Sequence, residues 1–177
     1  MPKYIVFDRD GTLIKHIPYL FEPNKVELLP TVKESLKLLK SNGFIFFLHT
    51  NQSGISRNFF KIEDAILCNN KLIELLGMGK KIFEEICIAE DYPSKEDSYR
   101  KPSPKFGLEI IEKYKINKQN LFYIGDSTSD LETAINIGCK CFGVNTGLVD
   151  LKSSNENKIR FDISENLYEL VNKILKN

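Results

Sequence analysis

Tyr4-Ile5-Val6-Phe7, followed at once by Asp8-Arg9-Asp10-Gly11-Thr12-Leu13, limits the fold of this chain more than any other stretch. Four residues that are β-branched or aromatic make a strand buried on both faces, the kind found inside a parallel sheet. Parallel strands need crossover helices, and open α/β sheets bind ligands outside the carboxyl ends of their strands. That end carries two carboxylates two residues apart and then a turn-making glycine. Two unit charges about 4 Å apart repel by about 4 kcal/mol at an effective dielectric near 20. A divalent cation removes that cost, and hard Mg²⁺ prefers oxygen ligands. A bare Asp-x-Asp is more often an acidic turn closing a strand. The whole hexapeptide behind a buried strand points instead to chemistry.

The rest of the chain repeats the pattern. Residues 14–29 are loop-like, broken by Pro18, Pro23 and Asn24. Pro30 opens a helix with the stripe Val32, Leu36, Leu38 and Leu39, and Asn42-Gly43 ends it. Phe44 to Leu48 forms a second buried strand, ending in His49-Thr50-Asn51-Gln52-Ser53-Gly54. A helix over Ile62 to Leu76 and a weaker strand over Glu84 to Ala89 follow. Polar residues from Glu90 to Arg100 form a surface loop, and Pro102-Ser103-Pro104 starts a helix reaching Tyr114. Leu121 to Ile124 is a fourth strand, and Gly125-Asp126-Ser127-Thr128-Ser129-Asp130 leads into a helix to Ile137. Cys139 to Val144 makes a fifth strand, Ile159 to Ile163 a short sixth, and Leu167 to Leu175 a closing helix. Lys152 to Lys158 is an exposed loop. Strands alternating with helices imply an α/β sandwich of three layers with a mainly parallel sheet of five to six strands. No linker or repeat splits residues 1–177, so a single domain is expected.

Composition narrows the partners. Lys+Arg number 25 and Asp+Glu 24, a balance unlike the basic faces that nucleic acids or anionic membranes select. No apolar run reaches a membrane span, and no signal-peptide pattern precedes the first strand. The cysteines (68, 87, 139, 141) form no CxxC pair and read as reduced core residues of a cytoplasmic, monomeric protein. Arginine occurs only at positions 9, 57, 100 and 160, and three of these lie in or beside the polar strand-end motifs. A chain otherwise reliant on lysine keeps the guanidinium for bidentate oxyanion contacts.

Four signals thus fall just after buried strands or ahead of a helix: Asp8/Asp10, Thr50-Asn51, Lys101, and Asp126 with Asp130. In Asp-Arg-Asp-Gly-Thr-Leu, Thr-Asn-Gln-Ser-Gly-Ile, Arg-Lys-Pro and Gly-Asp-x-x-x-Asp, the chain resembles haloacid-dehalogenase-superfamily phosphatases. It is most similar to the branch acting on D-glycero-D-manno-heptose 1,7-bisphosphate or histidinol phosphate. Arg9, Arg57 and Tyr19 resemble the heptose enzymes in particular.

The resemblance implies a Rossmann-like fold and Mg²⁺-dependent hydrolysis of a small phosphorylated metabolite. Heptose bisphosphate is the expected substrate, and histidinol phosphate or another sugar or nucleotide phosphate the alternative. Asp8 would be the nucleophile. Asp10 would be general acid and then base, in surroundings that favour its protonated form. Mg²⁺ would sit on Asp8, the Asp10 backbone carbonyl and Asp126. Arg9, Thr50, Asn51, Gln52, Arg57, Arg100 and Lys101 would bind substrate, with Thr50 and Lys101 on the transferring phosphoryl group. Asp130 would either face the helix dipole or hold Lys101.

Two features separate the chain from neighbouring readings. The resembled enzymes carry a Cys/His zinc loop before Arg-Lys-Pro, yet only Cys87 stands there, so no zinc is expected. About 39 residues lie between Asp10 and Thr50 and about 50 between Thr50 and Lys101, too few for a separate cap domain. A signalling receiver domain also combines an acceptor Asp, Thr/Ser and Lys, but carries the acceptor on a middle strand. A binding module without activity would not need every catalytic residue kept.

Overall fold

Alternate residues along each strand pack against different helices, and this period of two divides the core into two layers. The computed structural model describes residues 2–92, 98–151 and 161–176. Its elements run β1 (Lys3–Phe7), α1 (Val32–Ser41), β2 (Phe44–Asn51), α2 (Ile62–Leu76), β3 (Phe83–Ala89), α3 (Lys105–Tyr114), β4 (Leu121–Gly125), α4 (Thr128–Ile137), β5 (Lys140–Val144), β6 (Asp162–Ser164) and α5 (Leu167–Lys176). On one face Ile5, Phe7, Phe44, Phe46, Leu48, Phe122 and Ile124 meet the apolar stripes of α1, α2 and α5. On the other, Val6, Phe47, Leu121 and Tyr123 meet Phe106 and Ile110 of α3 and Ala134 and Ile137 of α4.

All six strands are parallel, in the order β3-β2-β1-β4-β5-β6. β1 is central, with Phe7 level with Leu48 on one side and Ile124 on the other. The order reverses between β1 and β4, and such a switch point opens a crevice beyond the carboxyl ends of the strands. Asp8 and Asp126 both stand at that edge. This is the expected doubly wound α/β sandwich, with one α-helix described in each of the first two crossovers.

Several boundaries differ from the sequence reading. The first helix begins at Val32, not Pro30, because Thr31 takes a left-handed conformation (φ 67°) and Val32 N–H closes a turn on the Leu29 carbonyl. The second strand continues to Asn51, since β3 pairs with it as far as Asn51 opposite Ala89. Thr50 and Asn51 therefore belong to the sheet. The last strand is shifted to Asp162–Ser164, and the first residues of its expected range, with the Lys152 to Lys158 loop, lie outside the described residues. Among the described residues no helix is long and apolar enough to cross a membrane.

Candidate active site

The chain leaves β1 in a tight loop: Leu13 and Ile14 N–H donate to the Arg9 carbonyl, and Gly11 takes φ +89° to let Gly11 N–H reach the Ile14 carbonyl. This loop separates the partners of the two carboxylates. Asp8 turns to a buried group made with Asp126 and Asp130, whose ligand atoms lie within 4.8 Å of one another. Lys101 Nζ bonds the Asp8 carboxylate and donates to Asp130 Oδ1 at 2.6 Å. Thr12 Oγ1 lies 3.0 Å from Asp126 Oδ1 and 3.4 Å from Asp8 Oδ2. Asp130 meets both sequence-derived expectations. Its Oδ1 holds Lys101, while its Oδ2 accepts from Ser127 N–H and Oγ in the capping box that starts α4.

The charges of this group do not balance. Three carboxylates meet one ammonium, so one positive charge subtracted from three negative leaves two formal negatives. Burial raises the Asp8 carboxyl well above its ordinary range, against the pull of Lys101. Asp126 is pushed up to about 6, by burial first and by Asp130 second. Burial would lower the Lys101 ammonium, but Asp130 and Asp8 hold it above its usual value. An all-oxygen donor set with surplus negative charge fits a hard divalent cation.

Two glycines make room beside that donor set. A Cβ at Gly11 would stand 2.3 Å from Asp126 Oδ2, and one at Gly147 only 2.0 Å from it. Gly147 follows Thr146, whose hydroxyl donates to the Gly11 carbonyl at 2.6 Å and ties the loop after β5 to the first motif. Gly147→Ala is therefore expected to displace the Asp126 carboxylate. Mg²⁺ affinity should fall about 10–100-fold, the usual cost of disturbing groups that orient metal ligands. Isothermal titration with MgCl₂ measures this, and an unchanged affinity would exclude the crowding argument.

Asp10 has a separate set of neighbours. Arg9 grips it with Nε on Oδ2 at 2.9 Å and Nη2 on Oδ1 at 3.2 Å. Thr50 Oγ1 (3.1 Å) and Gln52 Nε2 (3.0 Å) also donate to Oδ2, and Gln52 donates to Thr50 Oγ1 at 2.8 Å. Every one of these partners donates to the Asp10 carboxyl group.

Arg9 requires a correction. It was expected at the substrate, but it is fully buried with its nitrogens on Asp10 and Asn69. Asn51 is half-buried, lines the cavity beside Asp10 and also bonds the backbone of Lys101. Its Oδ1 accepts from Lys101 N–H (2.9 Å) and its Nδ2 donates to the Lys101 carbonyl (3.3 Å), so it clamps the backbone that carries the ammonium. His49 assists from the same strand, its Nε2–H donating to the Tyr99 carbonyl and its Nδ1 accepting from Tyr123 OH. Burial lowers His49 to about 3, so the ring is neutral at physiological pH.

Arg57 is close enough to Arg100 for its charge to act on that guanidinium. The Arg57 guanidinium lies over the Tyr92 ring at 5.9 Å. Burial lowers the Arg100 guanidinium and nearby Arg57 lowers it further. Arg100 Nη1 is buried without a hydrogen-bond partner among the described residues. Asp97, an acid of the same polar loop, lies outside those residues. Beside Asp10 a cavity of about 300 Å³ opens between Tyr19, Leu20, Gln52, Gly54 and Phe60. Tyr19 stands edge-on to Phe59 (4.8 Å, 90°) and holds a left-handed backbone (φ 53°), a strain that loops carry where they shape a site.

The model of the haloacid dehalogenase-like hydrolases matches residues 15–144. A D-glycero-D-manno-heptose-1,7-bisphosphate 7-phosphatase of Chlorobaculum tepidum is 30% identical over 183 residues, covering 96% of this chain and 92% of that protein. The histidine biosynthesis bifunctional protein HisB of Legionella pneumophila is 32% identical over 141 residues, and the aligned part is 78% of this chain but only 40% of that relative. A crystal structure of D,D-heptose 1,7-bisphosphate phosphatase from B. bronchiseptica, complexed with magnesium and phosphate, superposes with a TM-score of 0.88 over 98% of both chains at 24% identity.

Proposed function

Because the chain belongs to the haloacid dehalogenase-like hydrolases, we propose that it is a Mg²⁺-dependent phosphomonoesterase that works through an aspartyl-phosphate on Asp8. The observation that carries this reading is the buried Asp8–Asp126–Asp130 group with Lys101 across it, at the switch point of the sheet. Asp8 and Asp126, with the Asp10 backbone carbonyl, would hold Mg²⁺. The ion would neutralise charge on the phosphate and so admit an anion to an acidic site. Lys101, fixed by Asp130 and by the Asn51 clamp, places one ammonium against the nucleophile, where it stabilises the phosphoryl group as its charge shifts. Asp10 gives a proton to the leaving oxygen and takes one from the water that hydrolyses the intermediate.

The substrate we propose is D-glycero-D-manno-heptose 1,7-bisphosphate, which the Chlorobaculum relative is named for. Supporting it are two guanidiniums that feel each other's charge, Arg57 and Arg100, the latter with a nitrogen unpartnered among the described residues. Histidinol phosphate, favoured by the similarity to the bifunctional relatives, would bring a cationic amine and no second phosphate to that pair. Zinc has no place in this reading. Residues 88–100 contain neither Cys nor His, and burial pushes the Cys87 thiol up to about 12, away from the thiolate that zinc needs.

Phosphate release from a panel of phosphorylated metabolites is the test. Turnover should require Mg²⁺ and stop on chelation, and activity that survives exhaustive EDTA would overturn the metal assignment. Stoichiometric Zn²⁺ by elemental analysis would overturn the reading of the Cys87 loop. Arg57→Lys and Arg100→Lys should each cost the bisphosphate about 1.5–3 kcal/mol in kcat/KM while leaving the matching monophosphate nearly unchanged. Equal losses on both substrates would move these arginines to the reacting phosphate.

A further inference from the structure

Asn69 occupies a place on α2 where the fold calls for an apolar residue. The other buried positions of this helix are Ala65, Cys68, Leu72 and Leu76. Asn69 is 3% exposed, and its Nδ2 is buried with no hydrogen-bond partner among the described residues. An unpaired buried amide works against folding, whereas a leucine of similar volume would not carry that penalty. Breaches of local fitness for the fold concentrate at functional sites. The other end of the amide supplies the use: Oδ1 accepts from Arg9 Nη1 at 2.8 Å.

Arg9 thereby bridges α2 to Asp10. One edge of its planar fork grips both oxygens of the Asp10 carboxylate, and the remaining corner is held by Asn69. Among the described residues three donors converge on Asp10 Oδ2, while Oδ1 receives the longer 3.2 Å bond from Arg9 Nη2 alone. The orientation of that fork thus selects which oxygen is left to move a proton. Resting on the reading of Asp10 as acid and base, we infer that Asn69 is a positioning residue that acts through Arg9 to set the Asp10 carboxylate for proton transfer. Nothing in this arrangement needs contact between Asn69 or Arg9 and the substrate.

The experiment compares two leaving groups in the Mg²⁺-loaded enzyme. Transfer of the 7-phosphoryl group to Asp8 breaks its bond to the heptose O7, which leaves as an alkoxide and needs the Asp10 proton, whereas p-nitrophenolate leaves without one. Asn69→Leu should lower kcat/KM for heptose bisphosphate about 10–100-fold, part of the 10²–10⁴-fold share of general acid–base catalysis. For p-nitrophenyl phosphate the change should be less than about twofold, because the step that kcat/KM reports no longer uses the acid. Arg9→Lys keeps the buried charge but cannot reach Asp10 and Asn69 together, and it should show the same split. In an Asp10→Asn background, Asn69→Leu should cost nothing further, as expected of residues acting in one unit. Equal losses on both substrates, or no loss on the bisphosphate while Asp10→Asn is impaired, would overturn the proposal. Should Asp10→Asn itself turn over the bisphosphate normally, the acid–base reading falls, and the proposal with it.

Discussion

Asp8→Asn is expected to lower kcat at least about 10³-fold, since removing the nucleophile from a covalent catalyst costs more than that in comparable enzymes. The amide keeps the volume and can still accept from Lys101, but it cannot attack phosphorus. Its effect on stability should have the opposite sign. Burial raises Asp8 above its ordinary value of 3.8. A group shifted in that direction adds stability below its unfolded pKa and loses it as pH rises through the folded value. At neutral pH the ionised carboxylate therefore weighs against the metal-free fold. The metal-free variant should resist urea at pH 7 at least as well as the wild type, with the advantage shrinking toward pH 4. Retention of more than a few per cent of turnover would end the nucleophile assignment.

Lys101→Met should be damaging in both respects. It removes the ammonium that pairs with Asp8 and Asp130, and both carboxylates are nearly inaccessible. Breaking a buried ion pair from one side costs about 3–5 kcal/mol, because the surviving charge stays buried. Loss of a donor aimed at the transferring group lowers kcat about 10²–10³-fold. Urea unfolding in EDTA and single-turnover kinetics separate these effects. A variant as stable as the wild type would mean that the carboxylates are compensated by something other than Lys101.

The elements of the fold were legible because their signals are local. β1, β2 and β4 are short runs of β-branched and aromatic residues, and each reaches its site residue at a strand end. The carboxylates and Lys101 were legible for the same reason. Side-chain direction was not. A guanidinium suits a phosphate and a carboxylate equally well, so nothing in the spacing of Arg9 told that its partner would be the next residue in the chain. Asn51 looked like a substrate donor because its contact with Lys101 spans 50 positions. Asn69 gave no warning, being one polar residue in an apolar stripe, and Gly147 matters only because Asp126 lies against it. The last residues of β2 were missed because His49, Thr50 and Asn51 are polar, yet Tyr123, Asp10 and Lys101 give them hydrogen-bond partners.

The central position of β1 sets when this protein becomes active during its own synthesis. Asp8 is made early, but one edge of its strand stays unpaired until Leu121 to Ile124 has left the ribosome. Thr12 meets Asp126 across 114 positions, and Thr146 meets Gly11 across 135. A nascent chain that has passed β3 already carries Asp8, Asp10, Thr50 and Asn51, but it lacks Lys101 and Asp126, the groups that balance and complete the site. Such a fragment exposes a hydrophobic strand edge and has no hydrolytic power. The danger in that interval is aggregation through the open edge of β1.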